Sequence, residues 1–279
     1  MFLTRAKALY NILRSIQQQP RLSFWLLQQL PYLTRGVQFG QAWPRPISPA
    51  PKPEGEGIEN PLHTYYEAHI TGRGIWKWEH YLEIYHQHFQ RFRGREVHVL
   101  EIGIYSGGSL EMWRDYFGPA CQVYGVDIEE ACQIYEGKGT RIFIGDQGDR
   151  GFWQQFRAQV PRVDILIDDG CHLPEQQIVT LEEMLPHLQP GGVYLCEDLL
   201  GLPLNPFVAY LNGLTAQLNA FDFELLKDCA QGLVWPTIPW QADIKAVHFY
   251  PNVSVIEKSV TPVSELSAPK KGTEWQPFL

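Results

Sequence analysis

The run ILIDDGCH places Asp168, Asp169 and His172 within five residues at the end of an apolar segment, and CEDL adds Glu197 and Asp198 at the end of another. Four carboxylates gathered at neighbouring strand ends repel one another and raise each other's pKa unless a cation neutralises them. A hard divalent ion such as Mg²⁺ suits that donor set, because it prefers carboxylate oxygens and keeps water positions where substrate hydroxyls can bind. His172 adds a base whose ordinary pKa lies near neutrality and which can take a proton from such a hydroxyl. Its plainer role is that of a loop residue hydrogen-bonded to Asp168 or Asp169.

A second constellation lies earlier, in VLEIGIYSGGSLEMW (99–113). An apolar strand runs into Glu101 and Gly103, then Gly107 and Gly108, and a helix starts near Ser109. Glycines at such a turn let a ligand approach the backbone and leave helix N–H groups free, which makes a nucleotide-sized cradle. A tight strand-to-helix connection would use the same glycines, and their spacing departs from GxGxxG. The next strand ends in GVDI, where the Asp127 carboxylate can accept two hydrogen bonds from a ribose diol. A further strand ends in GDQGD, where Asp146 or Gln147 can meet the exocyclic amine of a purine. Singly, each is as well explained as a turn or cap residue. Three sites at successive strand ends favour a ligand.

These residues need a scaffold that brings strand ends together. Short runs rich in branched residues predict strands at Val97–Ile102, Gln122–Val126, Arg141–Ile144, Val163–Ile167, Val193–Cys196, Lys245–Tyr250 and Val253–Glu257. Amphipathic stretches at Ser109–Phe117, Arg150–Gln159, Pro174–Leu188 and Phe207–Asn219 fill the gaps as helices. That alternation specifies an α/β fold: a Rossmann-like, mostly parallel sheet of seven strands covered on both faces, with the last two strands, separated by Pro251 and Asn252, forming an antiparallel C-terminal hairpin. Ligands of such sheets bind beyond the carboxyl ends of the strands, where the residues above fall.

The chain has 279 residues, 44% of them apolar, and a formal charge of −8. It is long enough for one catalytic core with added segments, and its acidity argues against a general nucleic-acid binder. The charge is uneven. No acid precedes Glu54, while Arg5, Lys7, Arg14, Arg21, Arg35, Arg45 and Lys52 all do. Residues 1–55 therefore divide off as a basic N-terminal helical arm with a Pro-rich linker, WPRPISPAPKPEGEG (43–57), ahead of a domain at 56–279. Through residues 1–40 the arm is suited to an anionic membrane surface, or to packing on the main domain or a second subunit of a homo-oligomer, and the packing reading is the simpler. Five cysteines without a CxxC pair read as free thiols in a reducing, cytoplasmic compartment. No apolar run reaches the roughly 20 residues that span a bilayer.

The ordered set LEIGIYSGGS, GVDI, GDQGD, VDILIDDG and LQPGGVYLCEDL resembles the class I S-adenosylmethionine-dependent methyltransferases across residues 97–200. The resemblance implies that Glu101, Gly103 and Gly107 line the methionine end of the cofactor, that Asp127 holds the ribose, and that Asp146 and Gln147 sit near the adenine. Tyr105, Ser109, Ile128 and Asp168 join the implied cofactor shell. IDDGCH with PGGVYLCEDL is similar to a narrower group, the metal-dependent O-methyltransferases of macrolide sugars and the cephalosporin-hydroxylase-like methyltransferases. That likeness implies Asp169 and Asp198 as metal ligands, Glu197 as a third, and His172 as general base; Cys171 stands where the group more often has Ser.

The implied activity is methyl transfer from S-adenosylmethionine to a hydroxyl of a glycoside, assisted by Mg²⁺ or another hard divalent cation. In the preceding segment, GRGIWKWEHY (72–81) resembles part of that group's active-site lid. There Lys77, His80 or Tyr81 can meet the cofactor's carboxylate, and the Trp rings can flank a sugar or sulfonium; packing onto the sheet explains them equally well. Trp235 and Trp240 shape the acceptor pocket or belong to the core. A nicotinamide-dependent oxidoreductase would also use Gly103 and Asp127 but leaves the carboxylates unexplained. A non-catalytic protein acting through its basic arm is the remaining alternative.

Overall fold

The computed structural model describes residues 10, 12–42, 60–201, 205–229 and 232–273. The Pro-rich linker at 43–57 thus falls wholly outside the described residues, as do residues 1–9. The chain divides into two units, Met1–Glu56 and Gly57–Leu279. In the first, residues 12–18 are helical, and after Gln19 helix α1 (Pro20–Gln41) begins with proline at a position where its missing N–H is not needed. Leu22, Leu26, Leu30 and Leu33 of α1 are exposed. No described helix is long and apolar enough to cross a membrane.

The second unit holds the sheet. Its strands are β1 (Val97–Ile102), β2 (Cys121–Asp127), β3 (Thr140–Ile144), β4 (Val163–Asp168), β5 (Leu188–Cys196), β8 (Ile244–Tyr250) and β9 (Val253–Lys258). They lie in the order β3-β2-β1-β4-β5-β9-β8. The first five are parallel, whereas β9 runs antiparallel to both β5 and β8. Every expected strand is present within a few residues of its predicted bounds. The hairpin turn uses Asn252 at φ +62°, a left-handed conformation that Asn tolerates.

Both faces are covered. Helices α2 (Pro61–Ala68), α3 (Glu79–Phe89) and α4 (Gly108–Phe117) contribute Leu62, Tyr85, Phe89 and Trp113 to one core, where Ile165 and Ile167 of β4 also lie. Helices α5 (Arg150–Gln159), α6 (Pro174–Met184) and α7 (Pro206–Leu218) contribute Trp153, Phe156, Leu181 and Phe207 to the other, with Val163 and Leu166 of β4. Ile165 and Ile167 thus face one core and Leu166 the other, which is why these three residues of β4 read as a continuous apolar run between two acids.

Two expectations need correction. Helix α6 ends at Met184 rather than near Leu188, because Pro186 cannot continue the ladder and Leu188 already belongs to β5. A second sheet, β10-β7-β6, was not expected: β6 (Lys227–Cys229), β7 (Gly232–Pro236) and β10 (Glu265–Pro269) pair antiparallel. Strand β10 is exposed throughout, so its sequence shows no alternation.

The order of the sheet reverses between β1 and β4, and a cleft opens there beyond the strand ends. Close backbone packing builds its rim. Gly103, at φ +81°, leaves no room for a Cβ, which would overlap the Asp169 carbonyl oxygen, and a Cβ on Gly108 would meet the backbone oxygens of Arg73 and Gly74. We expect Gly103→Ala to lower stability by about 1–3 kcal/mol through overpacking and left-handed strain. Denaturant unfolding checks this, and a variant as stable as the parent contradicts it.

Candidate active site

The cleft has a volume of about 1310 Å³, and among its lining residues are Gly103, Asp127, Asp146, Asp169, His172 and Asp198. At its floor one oxygen of Asp169, one of Asp198 and a ring nitrogen of His172 lie within 4.8 Å of one another. His172 Nε2 is 3.6 Å from Asp198 Oδ2 and 4.0 Å from Asp169 Oδ1. His172 and Asp198 both adopt left-handed backbone, at φ +57° and +51°, as does Tyr105 at +44°. Such conformations cost free energy in non-glycine residues and gather at functional sites, so the strand ends are shaped for these side chains.

Behind the floor lies a buried charge cluster. The Lys77 ammonium is 2.7 Å from Asp169 Oδ2, 3.2 Å from the Glu197 carboxylate and 3.3 Å from Glu101 Oε1. Burial alone would depress the lysine, but Glu197, Asp169 and Glu101 together hold it well above its ordinary pKa. Burial and the neighbouring Asp169 push Glu197 upward. One ammonium facing three carboxylates leaves negative charge in excess.

Helix α3 supplies donors to the same acids. Tyr81 and Tyr85 are one turn apart on one face, as i and i+4 residues must be. The Tyr81 hydroxyl donates to Asp198 Oδ1 at 2.7 Å, and the Tyr85 hydroxyl donates to Glu197 Oε1 at 2.7 Å. Trp78, just before α3, donates its Nε1–H to Asp198 Oδ1 at 3.0 Å.

Gly103, Tyr105, Ser109, Asp127, Ile128, Asp146 and Gln147 line the cleft with Asp169, His172 and Asp198. Asp127 is held in place by the N–H groups of Ile104, Tyr105 and Glu129. Glu101 is fully buried, accepts the Ser109 hydroxyl at 2.7 Å and keeps Oε1 without a hydrogen bond; Gly107, also buried, abuts the Tyr135 ring.

Asp168 departs from its expected role. It is fully buried beneath the cleft, where Gln147 Nε2–H and the Tyr194 hydroxyl each donate to it at 3.0 Å. Gln147 itself is largely engaged, since its Oε1 accepts the Cys171 N–H at 2.9 Å. Glu197 also differs from the expected ligand set: its oxygens face Lys77 and Tyr85, so the metal-capable group in the cleft is Asp169, Asp198 and His172. Lys77 and Tyr81 meet these acids, and His80 faces the Pro251 carbonyl oxygen. Trp235 is buried and Trp240 is half-buried against the second core, and neither is among the residues lining the cleft. Tyr85 and Tyr194 were not anticipated, although the i, i+4 spacing of Tyr81 and Tyr85 was legible.

The donor set suits a hard divalent cation: the carboxylates of Asp169 and Asp198 converge at the floor, with the His172 imidazole beside them. Residues 100–199 match the family model of a methyltransferase domain. Residues 100–199 thus form a methyltransferase domain, and the sheet order is that of its fold.

Relatives extend the likeness. The chain is 34% identical over 196 residues to demethylmacrocin O-methyltransferase of Streptomyces fradiae, covering 63% of this chain and 48% of the relative. It is 32% identical over 203 residues to 8-demethyl-8-alpha-L-rhamnosyl tetracenomycin-C 2'-O-methyltransferase of Streptomyces olivaceus, covering 67% and 52%. The chain thus spans about half the length of these curated relatives. Among solved structures, the MycE methyltransferase of the mycinamycin biosynthetic pathway, in complex with Mg and SAH, aligns with a TM-score of 0.56 at 27% identity, over 72% of this chain and 54% of that one.

Two outcomes test the electrostatics of the methyltransferase domain. Lys77→Met leaves buried Glu101 and Glu197 and half-buried Asp169 without their cation and should cost about 3–5 kcal/mol in unfolding free energy; a loss under about 1 kcal/mol contradicts the cluster. Burial pushes Asp168 up to about 6 from an ordinary 3.8. A raised native pKa favours the fold below the unfolded value, and that contribution is lost as pH rises through the native one. The near-isosteric Asp168→Asn has no such titration, so its stability relative to the parent should rise by on the order of 3 kcal/mol between pH 4 and pH 7. A pH-independent difference in paired thermal or urea melts overturns the assignment.

Proposed function

We propose that this chain is a metal-dependent O-methyltransferase that moves a methyl group from S-adenosylmethionine to a hydroxyl of a sugar on a glycosylated natural product. The convergence of Asp169, Asp198 and His172 at the floor of a cleft rimmed by Gly103 and Asp127 carries this reading. The glycosylated acceptors named for the relatives support the substrate class.

Asp127 and Asp146 bind the nucleoside end of the donor, with Ile128 and Tyr105 beside it. Asp169 and Asp198 hold the divalent ion, Mg²⁺ being the hard cation that their oxygens suit, and Glu197 backs them through Lys77. When bound, that ion supplies a positive charge that lowers the pKa of an alcohol.

Transfer is an in-line displacement. The acceptor oxygen forms a bond to the methyl carbon, the carbon–sulfur bond breaks, and the sulfonium leaves as a neutral thioether. The hydroxyl proton passes to His172 Nε2, and no covalent enzyme intermediate forms. The protein's contribution is to hold donor and acceptor in line and to place the base.

Mass spectrometry of rhamnosyl glycosides incubated with S-adenosylmethionine, with and without EDTA, provides the test. We expect a product heavier by one methylene group, lost with EDTA and restored by Mg²⁺. His172→Ala should lower kcat by about 10²–10⁴-fold with S-adenosylhomocysteine affinity unchanged, and Asp198→Asn should weaken Mn²⁺ binding. Methylation that survives EDTA, or full turnover by His172→Ala, contradicts the proposal.

A further inference from the structure

Trp78 stands 54% exposed on the wall of the cleft. Its polar edge is fixed, because Nε1–H donates to the Asp198 oxygen that also accepts the Tyr81 hydroxyl. The backbone before α3 is extended at Trp78, so the ring departs from the segment that crosses the cleft rather than from the helix surface. A large aromatic face left open beside convergent polar groups marks a ligand site.

We propose that Trp78 is the platform on which the acceptor's sugar ring stacks, which makes it a substrate-positioning residue; this rests on the function proposed above. A pyranose has a face of C–H bonds and a rim of hydroxyls, and the two parts need different surroundings. The electron-rich face of an indole attracts the polarised C–H bonds, while its ring excludes water from them. Because the indole N–H is tied to Asp198, a sugar lying against this ring has its hydroxyl rim beside Asp198 and His172. One side chain therefore sets both the plane of the sugar and its distance from the carboxylate.

The same chemistry selects among sugars. A 6-deoxyhexose carries a methyl group where other hexoses carry a hydroxymethyl, so less polar surface loses water on stacking. Trp76, 86% exposed on the same wall, and Leu200, 52% exposed, extend the apolar surface for the part of the acceptor beyond the sugar. An acceptor whose sugar is joined to an apolar aglycone fits this surface.

The test measures binding without turnover. Methyl α-L-rhamnopyranoside is titrated into the full chain loaded with S-adenosylhomocysteine and Mg²⁺, by saturation-transfer NMR. Trp78→Ala should weaken binding about tenfold, whereas Trp78→Phe, which keeps an aromatic face and loses the N–H, should stay within about threefold of the parent. Thermal melts of each variant establish that it is folded. Parent-like binding by Trp78→Ala overturns the platform. So does a Trp78→Phe as weak as Trp78→Ala, since the bond to Asp198 would then be the whole role, and so does a parent chain that shows no saturable binding. A chain that binds the sugar on Trp78 yet methylates no hydroxyl overturns the proposed function and leaves the platform standing.

Discussion

A single ammonium, from Lys77, faces more buried carboxylate than it can neutralise, and the cleft is organised around that imbalance. Charged groups are held out of water only where partners compensate them. Around this lysine the compensation comes from several directions: Tyr85 and Tyr81 from one helix face, Ser109 from the helix after the glycine turn, and Trp78 from the segment between. The oxygens left over, Asp169 Oδ1 and Asp198 Oδ2, lie at the open side, where His172 stands. The residual charge is thereby directed at the solvent-facing floor and not at the core.

Topology supplies the gathering. Acids at the tips of β1, β4 and β5 meet because those strands are neighbours in one parallel array, so their ends face the same way. Glycine supplies the closeness. The loop after β1 touches the loop after β4 at Gly103, and the crossing segment rests on the start of α4 at Gly108, both contacts tighter than a methyl group permits. Side-chain chemistry at the floor is therefore positioned by backbone contacts several residues away.

Much of this was legible in the sequence. The seven strands were, because each is buried on a sheet face and so reads as a short branched run, and so were Asp169, His172 and Asp198, because acids at the end of such runs have nowhere to go but the strand tips. Asp168 shows the limit. Next to Asp169 in sequence, it alternates to the other side of the chain, as strand residues do, and ends beneath the cleft with Gln147 and Tyr194. Glu197 and Asp198 part in the same way, one toward Lys77 and one toward the opening. The partner of a buried acid depends on contacts distant in sequence, here 120 residues for Glu197 and Lys77, and no local pattern encodes them. The small second sheet was hidden for another reason: strands of three to five residues with exposed faces carry no period.

Lys77 precedes every strand of the sheet, yet its ammonium rests against acids from the carboxyl ends of β1, β4 and β5. One side chain from ahead of the sheet thereby ties together three strand tips, so a chain trimmed past that residue would enclose Glu101 and Glu197 with no cation beside them.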